Sequence, residues 1–213
     1  MCDIIPLLSN NQVSSNWTRS VVNHVEDSLL SATHKTEINL PTYVSSTLSV
    51  AFSCNGYMFA STHGDHTVKV FIFDSLKQIC NFHGHPRTPW TVKFHTSLPH
   101  ILASGCIGYE VRVWDTEKAA CINKLVLDSS VISIAFHPTK DFLAITSGSE
   151  LKLWNWEQGG AEGESQTAQE SSNLPVIKHN RNLRAVIFHP SGEYIFAAAP
   201  NGPKSPYDVA YCR

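Results

Sequence analysis

Histidine is the residue type in this sequence with the widest chemical scope, because an imidazole can transfer protons near neutral pH or bind zinc. Among the eleven histidines, His63 and His66 are three residues apart, and His83 and His85 are two apart. Enzymes that use such residues carry further motifs, such as HExxH, GxSxG or a phosphate-binding glycine loop, and this sequence contains none of them. The histidines therefore favour structural roles, and we expect no catalytic residues, no metal and no cofactor.

The composition narrows the function classes further. The net charge is -2 at pH 7 and no lysine-rich or arginine-rich run occurs, so nucleic acid is not an expected partner. The six cysteines form no CxxC pair, which argues against a zinc ribbon or a redox motif. No segment approaches the ~20 apolar residues of a membrane helix, and the amino terminus does not resemble a signal peptide. We expect a globular protein without membrane insertion.

The elements that position these residues come from an internal repeat. A run of alternating apolar residues that ends in phenylalanine occurs four times, at intervals of 42, 42 and 52 residues: Phe52, Phe94, Phe136 and Phe188. Turn residues such as Asn55-Gly56 follow each run, and a second short apolar run comes next. A period of ~40–45 residues with four strands per unit is typical of WD repeats, whose units are the blades of a β-propeller.

The third strand of each repeat carries the WD signature. Trp114-Asp115 ends one such strand, Trp154-Asn155 ends the next with Asn in place of Asp, and Phe71 ends a weaker copy. Gly84-His85 stands where the Gly-His pair of the signature belongs. We expect the three aromatic residues to pack between adjacent blades and His85 to be structural.

The repeats predict an all-β WD-repeat β-propeller over residues 37–200, incomplete at about three and a half blades. The second strands are rich in small residues and are expected to lie innermost, around the central channel. His137 and His189, which follow two of the phenylalanines, are expected in turns. The aspartate that usually precedes the third strand is present as Asp65 in the first repeat, but its position in the second is Gly108. The hydrogen-bond network that stabilises such blades is therefore expected to be incomplete.

Three segments fall outside the repeats. Residues 1–36 form an amino-terminal segment, and 15–30 predict a short amphipathic helix because apolar residues recur every four positions: Trp17, Val21, Val25 and Leu29. Such a helix either packs on its own propeller or docks into the groove of a partner. Residues 157–174 are rich in polar residues and glycine and predict a flexible insert. Residues 201–213 predict a loop and the truncated end of the fourth repeat, without clear third and fourth strands.

Some segments are more particular than a generic WD repeat. The runs 84–95 and 110–115, together with 59–63, 102–106 and 136–138, resemble the amino-terminal WD region of the Ambra family. Members of that family are activating molecules in Beclin-regulated autophagy. The resemblance extends over roughly residues 15–200, including the predicted helix.

The resemblance implies a function. Ambra proteins are substrate receptors of a cullin-RING ubiquitin ligase, joined through its propeller adaptor, and they promote autophagy through Beclin and its lipid-kinase complex. Their propeller is split into two parts by a long disordered segment. Many ligase receptors of this type carry an arginine two residues after the WD dipeptide, where this chain has Glu117 and Glu157. The resemblance therefore implies that adaptor binding falls to the predicted helix around Trp17, Val21, Val25 and Leu29.

We therefore expect a non-catalytic binding scaffold, a ligase substrate receptor that promotes autophagy. Its expected partners are the cullin-RING adaptor, a Beclin-type autophagy complex, ubiquitination substrates and the missing half of the propeller. Arg87 and Trp90 are candidates for a partner-binding face because Arg and Trp are favoured interface anchors, although Trp90 could instead begin an inner strand and pack. The alternatives are a WD scaffold in another pathway and a half-propeller that needs a second part. A cytoplasmic location is expected, with autophagosome-associated and nuclear locations left open.

Overall fold

A computed structural model describes residues 37–44, 46–157 and 175–200 in full, and 207–212 at the level of the backbone. The regular elements of these residues are strands, and none is a helix that could cross a membrane. Alternating β-branched and aromatic residues suit strands that bury one face or both. The strands are β1 (Thr47–Phe52), β2 (Met58–His63), β3 (Val68–Ile72), β4 (Gln78–Phe82), β5 (Pro89–Phe94), β6 (Ile101–Cys106), β7 (Glu110–Asp115), β8 (Ala120–Val126), β9 (Val131–Phe136), β10 (Phe142–Ser147), β11 (Glu150–Asn155), β12 (Val176–Lys178), β13 (Ala185–Phe188), β14 (Ile195–Pro200) and β15 (Tyr207–Cys212).

In the described part of the chain these strands form four antiparallel sheets, each a meander of consecutive strands. Three sheets have four strands, β1–β4, β5–β8 and β9–β12, and the fourth has three, β13–β15. Tight turns join first and second strands: Gly56 and Gly192 both have φ of 75°, a conformation that glycine adopts without steric strain. The predicted fold class, an all-β and incomplete WD-repeat β-propeller, is confirmed. Each sheet is one blade, and the blades are numbered 1 to 4 in chain order.

The first strand of each blade, rather than the second, lies innermost. β1 contacts β5, β5 contacts β9, and β9 contacts β13, so the first strands of neighbouring blades meet. The prediction that the second strands surround the channel is therefore wrong. Their small residues, such as Ala60, Ala103 and Ala144, are instead completely buried in the apolar seams between blades. Small size there reflects close packing of sheet on sheet and not a narrow channel.

The signature tryptophans lie in these seams. Trp114 of blade 2 packs among residues of blade 1 and stacks on Phe82, with ring centroids 4.8 Å apart. Trp154 of blade 3 packs in the same way against blade 2, beside Val111 and Val113. Burying an apolar side chain of this size fully stabilises the fold by about 1.5–3 kcal/mol relative to exposure. These tryptophans therefore stabilise the packing of each blade on the preceding one.

Phe71 lies on the face of blade 1 that corresponds to the face of Trp114 in blade 2, but no blade precedes blade 1 among the described residues. Its ring stacks on Phe59 of its own blade, with centroids 5.1 Å apart, on the face turned away from blade 2. The expectation that Phe71 packs between two adjacent blades does not hold among the described residues. Strand residues alternate between faces, and Val68 and Val70 occupy the face that meets blade 2.

The carboxyl-terminal stretch also differs from its prediction. Tyr207–Cys212 forms β15, which pairs antiparallel with β14 from Ile195 opposite Cys212 to Pro200 opposite Tyr207. The fourth repeat therefore has its third strand, and the expectation that this strand is missing is wrong. β15 lacks an aromatic residue followed by Asp or Asn at its end, so the signature could not reveal it.

Several predicted segments lie outside the described residues. These are the helix over 15–30, the loop over 201–206 and nearly all of the insert over 157–174, which β11 and β12 flank. The chain divides into two compact units, Met1–Asn39 and Leu40–Arg213. Only residues 37–39 of the first unit are described, and all four blades belong to the second.

Candidate partner-binding face

A buried triad of side chains joins three segments of blade 2. Nε1 of Trp114 donates a hydrogen bond to Oγ of Ser104 at 2.7 Å, and the same Oγ lies 2.6 Å from Nε2 of His85. The rings of His85 and Trp114 also meet edge to face, with centroids 5.8 Å apart. Inside a protein such a paired network favours one arrangement of the strands it connects. It ties the loop before β5, which carries Arg87, to β6 and β7.

In WD blades an aspartate before the third strand usually joins this histidine, serine and tryptophan in one hydrogen-bond network. Blade 2 lacks that aspartate, as the sequence indicates. Gly108 occupies the position of Asp65 in blade 1, whose carboxylate accepts hydrogen bonds within its own turn. A Cβ atom on Gly108 would come within 2.9 Å of Pro86, so the loop before β5 has closed over the space that an aspartate would need. Nδ1 of His85 is consequently buried without a hydrogen-bond partner in the described part of the chain.

This environment disfavours the charged form of His85. Burial is the main cause, and the positive charge of Arg112 adds to it; together they lower the pKa of His85 to about 3. Burial also lowers the pKa of His63, His95 and His137. These histidines are therefore neutral in the folded protein at neutral pH.

A β-bulge recurs near the start of the innermost strands. The pairing register shifts at the same point of β1, β5 and β9. The residue that the ladder skips lies four positions before the repeated phenylalanine in each case: Leu48, Trp90 and Ile132. A bulge redirects a side chain out of the regular alternation. Trp90 is 45% exposed as a result, although its neighbours Thr91 and Val92 are buried.

Arg87 is exposed in the loop between β4 and β5, three residues before Trp90. The backbone N–H of Ile107 donates to the carbonyl oxygen of Thr88 at 3.2 Å, which fastens this loop to the turn between β6 and β7. Arg87 and Trp90 therefore lie at the same edge of blade 2, on a backbone that hydrogen-bonds to β6 and to the turn that follows it. A rigid backbone that exposes an Arg and a Trp is suited to binding another protein.

The same edge carries local positive charge. Among the exposed residues of the loops that lead into β5, β9 and β13, Arg87, Arg181 and Arg184 are cationic and Asp128 is anionic. Asp128 also lies 3.5 Å from Nζ of Lys152, which offsets its charge. The whole chain has a net charge of -2, so this surplus belongs to the edge and not to the molecule. Such a surface favours encounter with an acidic segment of a partner.

The WD dipeptides close turns at the opposite edge. Oδ1 of Asp115 accepts hydrogen bonds from the backbone N–H groups of Glu117 and Lys118, at 2.8 and 3.2 Å. Oδ1 of Asn155 accepts one from Glu157 at 3.2 Å, so asparagine serves the same turn. Glu117 and Glu157 are both exposed there.

The histidines do not assemble into a metal-binding cluster in the residues that the structure describes, since no group of three or more His, Cys, Asp or Glu side chains there could hold an ion. His63 hydrogen-bonds to Ser61, and His66 is exposed in the next turn. His137 and His189 each accept a hydrogen bond at Nδ1 from the N–H two residues later. The turn positions predicted for these two residues are confirmed.

Sequence reasoning missed Ser104, Leu48 and Ile132. Ser104 could have been found, because a hydroxyl in the second strand is the expected link between the histidine and the tryptophan. Leu48 and Ile132 share the register position of Trp90, and alignment of the repeats would have shown this row. The exposure of Leu48, Trp90 and Ile132 depends on the β-bulges, and the pattern of apolar residues does not show where the bulges are.

Comparison with known proteins identifies relatives of this fold. Residues 37–71, 76–115 and 120–155 match the family described as WD domain, G-beta repeat. The chain is 34% identical over 172 residues to activating molecule in BECN1-regulated autophagy protein 1A of Danio rerio, and 32% identical over 160 residues to protein 1B. These matches cover 81% and 74% of this chain.

The resemblance noted from the sequence is thereby confirmed, but the chain spans only 12% of the length of either relative. A more distant match is the ribosome biogenesis protein BOP1 homolog of Arabidopsis thaliana, 23% identical over 47% of this chain and 17% of that protein.

Proposed function

We propose that this chain, which belongs to the WD domain, G-beta repeat family, is a non-catalytic scaffold that binds protein partners in the control of autophagy. The proposal rests on the exposure of Trp90, which lies on a β-bulge near the exposed Arg87. Hydrogen bonds among His85, Ser104 and Trp114 hold the interior of the same blade in place. An exposed tryptophan on a rigid strand loses little conformational entropy on binding, which is why such residues are effective anchors.

The autophagy context comes from the relatives whose names state it. We propose a Beclin-type autophagy complex as one partner, and a cytoplasmic location in which the chain meets it. The positive edge around Arg87, Arg181 and Arg184 supports a partner that presents an acidic segment. Trp90 would then supply the apolar anchor of the contact.

The finer proposal is a substrate receptor of a cullin-RING ubiquitin ligase. Glu117 and Glu157 stand where an adaptor-contacting arginine is common, and both are exposed. We therefore propose that the adaptor is bound through the segment 15–30, by Trp17, Val21, Val25 and Leu29, and that Arg87 and Trp90 serve substrates or the autophagy complex. The two contacts use separate parts of the chain, as a receptor that brings two proteins together requires.

The first test concerns the partner-binding face. We expect Arg87→Glu combined with Trp90→Ala to weaken binding to a purified Beclin-type complex by about 30-fold, because an anchor of this kind contributes about 2 kcal/mol or more. Binding would be measured by biolayer interferometry with the whole chain. The matched control is Lys118→Glu with Tyr57→Ala, which changes an exposed basic and an exposed aromatic residue at the opposite edge.

Unchanged binding in the Arg87/Trp90 variant, or equal weakening in the control, would show that this face is not the contact. Absence of binding by the unmodified chain would contradict the autophagy proposal itself. A WD scaffold of another pathway would then remain.

A further inference from the structure

The turn between the second and third strands of blades 1 to 3 places one residue in the left-handed region of the backbone. The φ angles are 67° at His66, 69° at Tyr109 and 59° at Gly148. Glycine adopts this conformation freely, whereas a residue with a Cβ atom is strained in it. A bulky residue at positive φ is a marked exception. Tyr109 is the largest of the three, although the neighbouring Gly108 could have supplied a glycine to the same turn.

The side chain of Tyr109 does little for the fold that would offset this strain. It is 48% exposed, and it makes no hydrogen bond and no ring contact with the residues that the structure describes. The contribution of the residue to the fold comes from its backbone, because its carbonyl oxygen accepts a hydrogen bond from the N–H of Leu127 at 2.7 Å. A glycine would keep that bond without the strain.

Tyr109 lies at the edge of blade 2 that exposes Arg87 and Trp90. A Cβ atom on Gly108 would come within 3.1 Å of Cβ of Arg87, so the turn of Tyr109 packs directly against the loop of Arg87. Trp90 reaches the surface through a β-bulge, and Tyr109 reaches it through a left-handed turn. Two separate irregularities of the backbone therefore expose an aromatic ring at the same edge of one blade.

This pair of rings is particular to blade 2 among the first three blades. Blade 1 has Leu48 and His66 at the corresponding bulge and turn positions, and blade 3 has Ile132 and Gly148. The rings are therefore not a requirement of the repeat, since blades of the same topology form without them. Backbone strain that does not serve packing is a feature of residues that bind ligands or partners.

We propose that Tyr109 is a second aromatic anchor of the partner-binding face, present for its contact with the partner although it destabilises its own turn. The inference rests on the proposed function, because it concerns the same face. The partner segment that fits is acidic and carries a large apolar side chain. Its carboxylates meet the positive charge of Arg87, and its apolar side chain packs on the rings of Trp90 and Tyr109. A tyrosine suits this role because it offers a large ring with few rotatable bonds.

The test measures stability and binding in the same variants of the whole chain. Tyr109→Gly should raise the Tm by about 2 °C, because the strain is relieved. It should nevertheless weaken binding to the purified Beclin-type complex by about tenfold, because the ring is lost. Tyr109→Phe keeps both the ring and the strain, so its Tm and its affinity should match those of the unmodified chain. The matched control is Ala119→Gly, which relieves a φ of 51° at the opposite edge and should raise the Tm without changing the affinity.

Salt separates the apolar contact from the charged one. Between about 0.05 and about 0.5 M NaCl, the weakening caused by Arg87→Glu should shrink because its charge is screened, whereas the weakening caused by Tyr109→Gly should persist.

Three results would count against this assignment. Unchanged binding by Tyr109→Gly, together with weakened binding by Trp90→Ala, would overturn the role of Tyr109 and leave the proposed function intact. A lower Tm in Tyr109→Gly would show that the fold itself holds the ring, which contradicts the inference. Absence of binding by the unmodified chain would contradict the proposed function, and the role of Tyr109 would fall with it.

Discussion

Trp114→Ala is expected to lower the free energy of unfolding by about 3–5 kcal/mol, the range for removing a large aromatic side chain from a core. Trp114 is 2% exposed and stacks on Phe82 across the seam between blades 1 and 2. Its loss also removes the donor to Ser104, which leaves the triad incomplete. Domains are stable by about 5–15 kcal/mol, so the substitution removes a large fraction of the total stability. Urea denaturation followed by circular dichroism measures the change.

Trp90→Ala is the matched control, because it removes the same side chain from the same blade. Trp90 is 45% exposed, and its loss should cost less than about 1 kcal/mol. Trp114→Phe keeps the stacking but not the hydrogen bond and should fall between the two. Equal destabilisation by Trp114→Ala and Trp90→Ala would contradict the placement of the seams.

Acid should destabilise the fold well above the pH at which carboxylates are protonated. The pKa of His85 falls from 6.5 in the unfolded chain to about 3 in the folded protein, mainly because the ring is buried. Between these values the unfolded chain binds a proton that the folded one does not, so stability is complete above pH 6.5 and is lost as the pH falls toward 3. The loss from His85 approaches about 1.4 kcal/mol per pH unit and reaches on the order of 5 kcal/mol below pH 3.

The lowered pKa values of His63, His95 and His137 act in the same direction. Urea unfolding at a series of pH values from 7.5 to 4.5 would give the slope. We expect His85→Gln to be less stable at pH 7.5 but to show a smaller slope, since glutamine takes up no proton. His189→Gln, at an exposed turn, should keep the original slope. An unchanged slope in His85→Gln would refute the assignment.

The sequence predicted the features that depend on a local, repeated pattern. The period of the phenylalanines and the Trp114-Asp115 and Trp154-Asn155 dipeptides indicated the blades, and Gly108 indicated the gap in the network of blade 2. Each of these features depends on the residue types within a single repeat. The strand periodicity therefore reveals them without knowledge of the other blades.

The features that depended on neighbouring blades could not be predicted in the same way. The small residues in β2, β6 and β10 are compatible with strands around a narrow channel and also with close packing between two blades. Only the contacts among the first strands of neighbouring blades show which strand is innermost. Phe71 shares the register position of Trp114, so the repeat predicts which face it occupies but not whether a described blade packs against that face. The exposure of Trp90 follows from a bulge that leaves no apolar signal.

Co-purification with the cullin-RING ligase adaptor tests the central claim most directly, namely that this chain is a non-catalytic receptor that joins protein partners. The unmodified chain should retain the adaptor, and a Trp17→Ala/Val21→Ala/Val25→Ala variant should lose it, while the Arg87→Glu/Trp90→Ala variant keeps it. That outcome would separate adaptor binding from the partner-binding face on the blades. If neither the unmodified chain nor any variant retains the adaptor, the ligase-receptor account of this chain is contradicted.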